Sequence, residues 1–327
     1  MKKEDLKIVF FGTPEFAVES LDALVSNGFN VAAVVTMPDK IAGRGHKLIT
    51  SAVKDYAVAH DLPLLQPEKL KDEEFVSALR EIGADLFIVI AFRMLPEVVW
   101  TMPALGTFNL HASLLPRYRG AAPINRAIMN GDTITGVTTF MLKHEIDTGD
   151  ILGRVEVEIA PDEDFGSLYA RLMKIGATLT LDTVNHIIAG DLTPIPQDQI
   201  TADAMPTPAP KIFAEDTLID WTRPAADIHN QIRGLSPVPA ARAELRSAHA
   251  RPESLKIYRS KLTDECPQGP AGTAAVVGKK RLVVACGDGH GLELLEVQPA
   301  GKKRMEVSAW IPGARLVEPY FVQKTEI

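Results

Sequence analysis

Two cysteines, Cys266 and Cys286, in 327 residues are too few for a disulfide framework or a metal cluster, and a reducing cytoplasm suits the chain best. No stretch approaches the roughly 18 consecutive apolar residues that a membrane span requires, so neither a span nor a membrane partner is expected. Residues 1–7 offer lysines but then acids, and the apolar run behind them stops at Gly12, which does not read as a secretory signal. No internal repeat of useful period is present. The G-x-G-x-x-G fingerprint is also missing: Gly12-Thr-Pro-Glu15 stands where it would follow the first strand, so a nicotinamide dinucleotide is not supported. Cytoplasmic localisation, no metal and a monomeric chain are the resulting expectations.

What is present is enough apolar residue, 46%, to bury the cores of two domains. The net charge of −7 argues against a general nucleic-acid binder, yet it is unevenly spread. Residues 1–210 carry 18 Lys and Arg against 28 Asp and Glu, and residues 211–327 carry 17 against 14. A change of sign between halves hints at a polyanionic partner for the second.

Residues 6–11 form an apolar run, a buried first strand. Thr13 is placed to cap and Pro14 to open a helix whose apolar positions run from Phe16 to Val25, with Gly28 ending it. Residues 31–35 read as a second strand. Residues 37–50 then form a long polar loop punctuated by Gly43 and Gly45, whose Lys40, Arg44 and Lys47 favour contact with phosphate. A helix over 51–60, a short strand at 63–65, a helix over 72–82 and a continuous apolar strand at 85–91 follow. Alternating strands and helices predict an α/β, doubly wound, mostly parallel sheet. A helix at 123–130, strands at 136–142 and 151–157 and one long amphipathic helix from 165 to 188 complete this part. Prolines at 194, 196, 206, 208 and 210 mark an extended connector. Beyond it a helix over 225–233 and short strands at 254–258, 273–277, 282–285 and 292–297 suggest a small barrel or sandwich.

The densest chemistry lies at residues 106–123. Thr107-Phe-Asn109-Leu-His111 alternates as a strand, placing Asn109 and His111 on one face, and Pro116, Gly120 and Pro123 then force a loop. A polar pair at the end of a buried strand, followed by a loop, is where open α/β sheets keep their active sites. Asp147, in the turn Asp147-Thr-Gly-Asp150, lies at a loop tip between two strands. An amide donor, a histidine and a carboxylate together suit acyl transfer: the amide stabilises an oxygen becoming negative, and the histidine moves protons near neutral pH. Singly, each residue has an ordinary alternative as a cap, a packed histidine or a turn former. The residues alone lead to an acyl-transfer-like site in an α/β domain.

Asn109-Leu-His111-Ala-Ser113-Leu-Leu-Pro116, continuing to Pro123 and followed by Asp147-Thr-Gly-Asp150, resembles the signature of the folate-dependent formyltransferases. Residues 11–16, 38–45, 219–221 and 298–302 resemble, in order, the branch of that family that acts on methionyl initiator tRNA. The resemblance implies a Rossmann-like catalytic domain over 1–190, the Pro-rich linker 191–210, and an OB-like β-barrel, tRNA-binding domain over 211–327. It implies transfer of the formyl group of 10-formyltetrahydrofolate to the α-amine of methionine on initiator tRNA, by direct attack through a tetrahedral intermediate. Asn109, His111 and Asp147 would be the catalytic trio, and Ser113, Leu114, Leu115 and Pro116 the folate-binding segment. Phe92 and Leu95 would line the pterin pocket. Arg44 would reach toward the tRNA acceptor end, and Lys47, Lys211, Lys302, Lys303 and Arg304 are the further candidates for tRNA phosphates.

Overall fold

The computed structural model describes residues 2–42, 47–200, 205–248, 251–314 and 316–322. Contacts divide the chain into one unit of Met1–Gly120, Thr135–Glu158 and Tyr169–Ala209, and a second of Ala121–Ile134, Ile159–Leu168 and Pro210–Ile327.

The first unit is built on a seven-stranded sheet, in the spatial order Ile151–Glu158, Ile134–Met141, Thr107–His111, Leu86–Ile90, Lys7–Gly12, Asn30–Val35 and Leu64–Leu65. Lys7–Gly12 pairs in parallel with both Asn30–Val35 and Leu86–Ile90, and Leu86–Ile90 pairs in parallel with Thr107–His111. Every residue of Leu86–Ile90 is buried, as its unbroken apolar run requires of a strand covered on both faces. The chain winds outward from Lys7–Gly12 to Leu64–Leu65, then crosses back to its other side. Such a reversal is where an open sheet leaves a crevice at its carboxyl edge. Thr107–His111 is the last parallel strand, because its other neighbour, Ile134–Met141, runs antiparallel to it. Val9, Phe11, Phe75, Leu79, Phe87 and Val99 are among the buried residues on one side of this sheet.

Local expectations hold in most places, and where they fail the cause is visible. Ser51 caps the helix Ala52–Ala59, its Oγ accepting from the Lys54 N–H at 3.0 Å. Thr13 caps nothing: Pro14 occupies the N-cap of Glu15–Ser26, and the Phe16 N–H is taken by the Tyr169 hydroxyl at 3.0 Å. Thr13 Oγ1 is left buried with no partner among the described residues. The polar stretch 37–50, read as a loop, contains an antiparallel ribbon of Lys40–Ala42 with Lys47–Ile49. The Pro-rich stretch read as a connector is hydrogen-bonded into the first unit through Ala209. Ile195 pairs with Ile151, and Pro208–Ala209 runs parallel to Arg119–Gly120.

The second unit is an antiparallel sheet whose path runs Ala274–Val277, Arg281–Ala285, Gly291–Pro299, Glu253–Thr263, Ala241–Arg246 and Tyr320–Phe321, with Met305–Glu306 added to Gly291–Pro299. The two ends of the path meet. Ala274 N donates to Pro319 O at 3.0 Å and Phe321 N to Gly272 O at 2.8 Å, so the sheet is nearly closed into a barrel. Trp221, Ile228, Leu255, Ile257, Leu282, Trp310 and Phe321 are buried in its core. Sequence reading missed the strand Ala241–Arg246 and the helix Val307–Ala314. The first alternates alanine with charge, and the second contains Pro312.

Candidate active site

His111 ends the strand Thr107–His111 and is buried, with 7% of its surface exposed, while Asn109, two residues earlier, is half-buried. The two-residue spacing puts both on the same face of the sheet, as alternation requires. Asn109 lies opposite Phe140 and His111 opposite Thr138 on the antiparallel neighbour. The chain then turns back. Tyr118 returns its carbonyl to His111, whose Nε2 lies 2.8 Å from the Tyr118 oxygen. A carbonyl only accepts, so Nε2 carries the hydrogen, and Nδ1 is the ring position that gains or loses a proton.

That Nδ1 faces Asp147, with Oδ2 at 3.9 Å. Asp147 sits at the loop tip before the strand Ile151–Glu158, with φ at +55°, in the left-handed region. Its Oδ2 accepts the Gly120 N–H at 2.8 Å. Gly120 itself has φ at +127°, and a Cβ there would come within 2.7 Å of the Ala209 carbonyl oxygen. Only glycine allows the backbone to come this close while offering its N–H to Asp147. Gly149 is as constrained, since a Cβ would fall 1.5 Å from the Met141 oxygen. The Asn109 carboxamide makes no hydrogen bond among the described residues, so it is available to an incoming oxygen.

Residues 113–116 follow the strand directly. The Ser113 hydroxyl is buried and donates to the Arg117 carbonyl at 2.6 Å, and the Ser113 carbonyl accepts from Thr138 Oγ1 at 2.7 Å. Leu115 is fully buried with Phe140 and Ile151, and Pro116 is buried. Leu114 is half-buried. Ser113 and Leu115 therefore hold the segment down, and Leu114 packs over Gly136, where a Cβ would come within 2.5 Å of its Cδ2. Leu95 is buried in the core beside the sheet, and Phe92 packs against the same cluster, its ring 5.7 Å from that of Phe11. Arg93 anchors this turn: it donates to the Glu68 carbonyl at 2.7 Å and to the Pro67 carbonyl, and burial pulls its guanidinium below its ordinary value. Met94, in the turn after Leu86–Ile90, and Ile146, next to Asp147, are exposed apolar side chains, at 76% and 63%.

The formyl transferase family model matches residues 6–184, and the model of the formyl transferase C-terminal domain matches residues 211–315. The chain belongs to the formyl transferase family. Among its relatives, the methionyl-tRNA formyltransferase of Bacteroides thetaiotaomicron is 54% identical over 320 residues, which are 98% of this chain and 99% of the relative. The methionyl-tRNA formyltransferase of Parabacteroides distasonis is 53% identical over 98% of this chain and all of its own length, 100%. Of solved structures, an N-formyltransferase from Helicobacter canadensis in complex with folinic acid and dTDP-3-aminofucose superposes with a TM-score of 0.62 at 21% identity, over 88% of this chain and 98% of that one. HypX from Aquifex aeolicus in complex with tetrahydrofolic acid gives 0.61 at 17% identity, over 95% of this chain and 48% of that one. At such identities these superpositions speak for the fold.

In this formyl transferase the structure thus brings His111 and Asp147 together and places Asn109 two residues before His111 on the same strand. The basic residues expected at tRNA fare differently. Arg44 lies outside the described residues, and of Lys47 only the backbone, in its ribbon, is described. Lys211 is exposed, its Nζ 5.9 Å from the ring of Phe213, itself 53% exposed. Lys302 and Lys303 are exposed. Arg304 is already engaged: Nε and Nη2 hold Glu296 at 2.5 and 2.6 Å, and the guanidinium lies 4.3 Å from the centre of the Tyr258 ring. A bidentate pair of this kind commits the fork that a phosphate would use.

Two contributors escaped sequence reading. One is the main chain of Tyr118 and Gly120, which carries no residue-type signal beyond the glycine itself. The other is Gln197, buried 50 positions after Asp147 in the Pro-rich stretch.

Proposed function

We propose that this formyl transferase moves the formyl group of 10-formyltetrahydrofolate to the α-amino group of methionyl initiator tRNA, giving N-formylmethionyl-tRNA for initiation of translation in the cytoplasm. What carries the reading is the cluster of an Asn109 amide with no partner among the described residues, His111 with an exchangeable Nδ1, and Asp147 facing it. Relatives named for this reaction share about half their residues with the chain over nearly its full length, 98%.

An α-amine ordinarily titrates at about 8, so part of it is neutral at pH 7 and can attack without a strong base. The bond formed joins the amine nitrogen to the formyl carbon, and the bond broken releases N10 of the donor. One proton must leave the amine and one must reach N10. Asn109, an amide donor with no other partner among the described residues, hydrogen-bonds the formyl oxygen as it gains charge, and a single donor of this kind is worth roughly 3–4 kcal/mol. His111, held by Tyr118 through Nε2, uses Nδ1 for the proton. Asp147 stabilises the imidazolium form while the proton is there. No covalent attachment to the enzyme is needed.

Leu114, the main chain of 113–116, Phe92 and the exposed Met94 and Ile146 are the proposed contacts of the pterin ring. Residues 1–190 would serve the chemistry, and 211–327, with their excess of basic residues, the tRNA. Arg44, Lys47, Lys211, Lys302 and Lys303 are proposed phosphate contacts, while Arg304 is proposed to serve its pair with Glu296.

The experiment is to incubate the purified protein with 10-formyltetrahydrofolate and, separately, methionyl-tRNA, an amino-sugar nucleotide or no acceptor. Formyl transfer confined to methionyl-tRNA is expected. Transfer to the sugar nucleotide, or formate released without acceptor, would contradict the assignment.

A further inference from the structure

Gln197 has both ends of its carboxamide in use while 6% of its surface is exposed. Nε2 donates to the carbonyl of Asp147 at 2.9 Å and to that of Gly149 at 2.8 Å. Oε1 accepts from Arg119 Nε at 3.2 Å and Nη2 at 2.7 Å. The orientation is unambiguous, because turning the amide over would set an oxygen against two carbonyls and an NH2 group against a guanidinium. A carboxylate or an aliphatic side chain of the same size cannot make both sets of bonds.

These partners stand on either side of Asp147. The amide holds the turn on which Asp147 adopts its left-handed φ of +55°, and Arg119 precedes Gly120, whose N–H holds the Asp147 carboxylate at 2.8 Å. The same chain segment continues to Thr207. Its Oγ1 accepts the Tyr118 N–H at 2.9 Å, and its carbonyl accepts the Arg119 N–H at 2.9 Å. Tyr118 is the residue whose carbonyl fixes His111. We infer that Gln197 is a positioning residue for the transfer reaction, clamping the Asp147 turn to the Arg119–Gly120 strand so that the carboxylate stays opposed to His111 Nδ1. The inference rests on the reading of Asp147 as a functional group.

The test is a double-mutant cycle of Gln197→Met and Asp147→Asn, read as kcat and KM for methionyl-tRNA formylation alongside thermal unfolding. Gln197→Met keeps the side-chain volume and removes every hydrogen bond. It is expected to lower kcat by about 10- to 100-fold, as losing a group that orients an active residue does, with KM for either substrate nearly unchanged. In the Asp147→Asn background the same substitution should cost no more than about twofold, because the two residues act as a unit. Wild-type kcat in Gln197→Met, or an equal loss in both backgrounds, would overturn the inference while leaving the Asp147 assignment standing. Wild-type kcat in Asp147→Asn would remove that assignment and the inference with it. Should Gln197→Met fail to fold, Arg119→Lys, which takes the fork from Oε1, decides in the same cycle.

Discussion

The Nε2 of His111 and the carbonyl oxygen of Tyr118 are 2.8 Å apart, which commits that nitrogen to donating. The ring is thereby oriented by the main chain of a residue seven positions later, and its remaining nitrogen is turned toward Asp147. Asp147 is in turn held by the Gly120 N–H, so the main chain of residues 118–120 fixes both members of the pair.

Asn109 is expected to serve the transition state rather than substrate affinity. Asn109→Ala should lower kcat by about 10²–10³, the loss seen when one oxyanion donor is removed. Steady-state kinetics with both substrates would show this. An unchanged kcat with a raised KM for the donor would make Asn109 a binding residue instead.

Gly120→Ala should damage both stability and rate. Its added Cβ meets the Ala209 carbonyl oxygen at 2.7 Å and the backbone stays at a φ of +127°, so roughly 1–3 kcal/mol of strain is expected. Relief requires the main chain to move, which takes the N–H away from Asp147. Thermal unfolding and kcat measured together would reveal a lowered Tm and a lowered kcat. A lowered Tm with normal kcat would show that the Gly120–Asp147 bond is not used in catalysis.

The division between what the chain's residues announced and what they did not follows physical lines. Asn109 and His111 were legible because alternation along one strand fixes their relative direction, and Asp147 because a turn motif places it at a loop tip. The hold on these residues was not, since the Tyr118 carbonyl and the Gly120 N–H are the same in every sequence that follows this path. Gln197 lies in a stretch whose prolines read as a connector, and only the folded chain brings it under the Asp147 turn. The doubly wound sheet was visible in its unbroken apolar runs. The strand Ala241–Arg246 was not, because its small buried alanines carry little apolar signal.

Arg304 and Lys303, adjacent in sequence, are expected to differ in role. Arg304→Ala breaks its pair with Glu296 and its stacking on Tyr258, and should cost about 0.2–1 kcal/mol of stability, as for exposed pairs, while leaving tRNA affinity nearly unchanged. Lys303→Ala should weaken tRNA binding and flatten its salt dependence without affecting Tm. Binding titrations over a range of salt concentrations, with thermal unfolding, separate the two. A large affinity loss in Arg304→Ala alone would reverse the assignment.

His229 should make the second unit sensitive to acid. Burial, chiefly, and the nearby Arg233 hold its imidazole below the ordinary histidine value, although Asp162 at 3.7 Å pulls the other way. The unfolded chain therefore binds a proton at higher pH than the folded one. Stability contributed by the neutral ring is intact above about pH 6.5, falls as the pH drops through that value, and levels off once the folded ring protonates. His229→Gln, which keeps a partner for the Ser260 hydroxyl, should reduce the fall in Tm between about pH 7.5 and about pH 5.5. An equal fall in the variant would place the acid sensitivity elsewhere.

The most direct test of formyl transfer through the His111–Asp147 pair is the single-turnover rate of methionyl-tRNA formylation at saturating 10-formyltetrahydrofolate, in wild type and Asp147→Asn. The wild type is expected to convert the bound methionyl-tRNA to its formylated form, and the folded variant to do so about 10²–10⁴ times more slowly with tRNA binding intact. Equal rates in the two proteins, or no formylated product from the wild type, would contradict it.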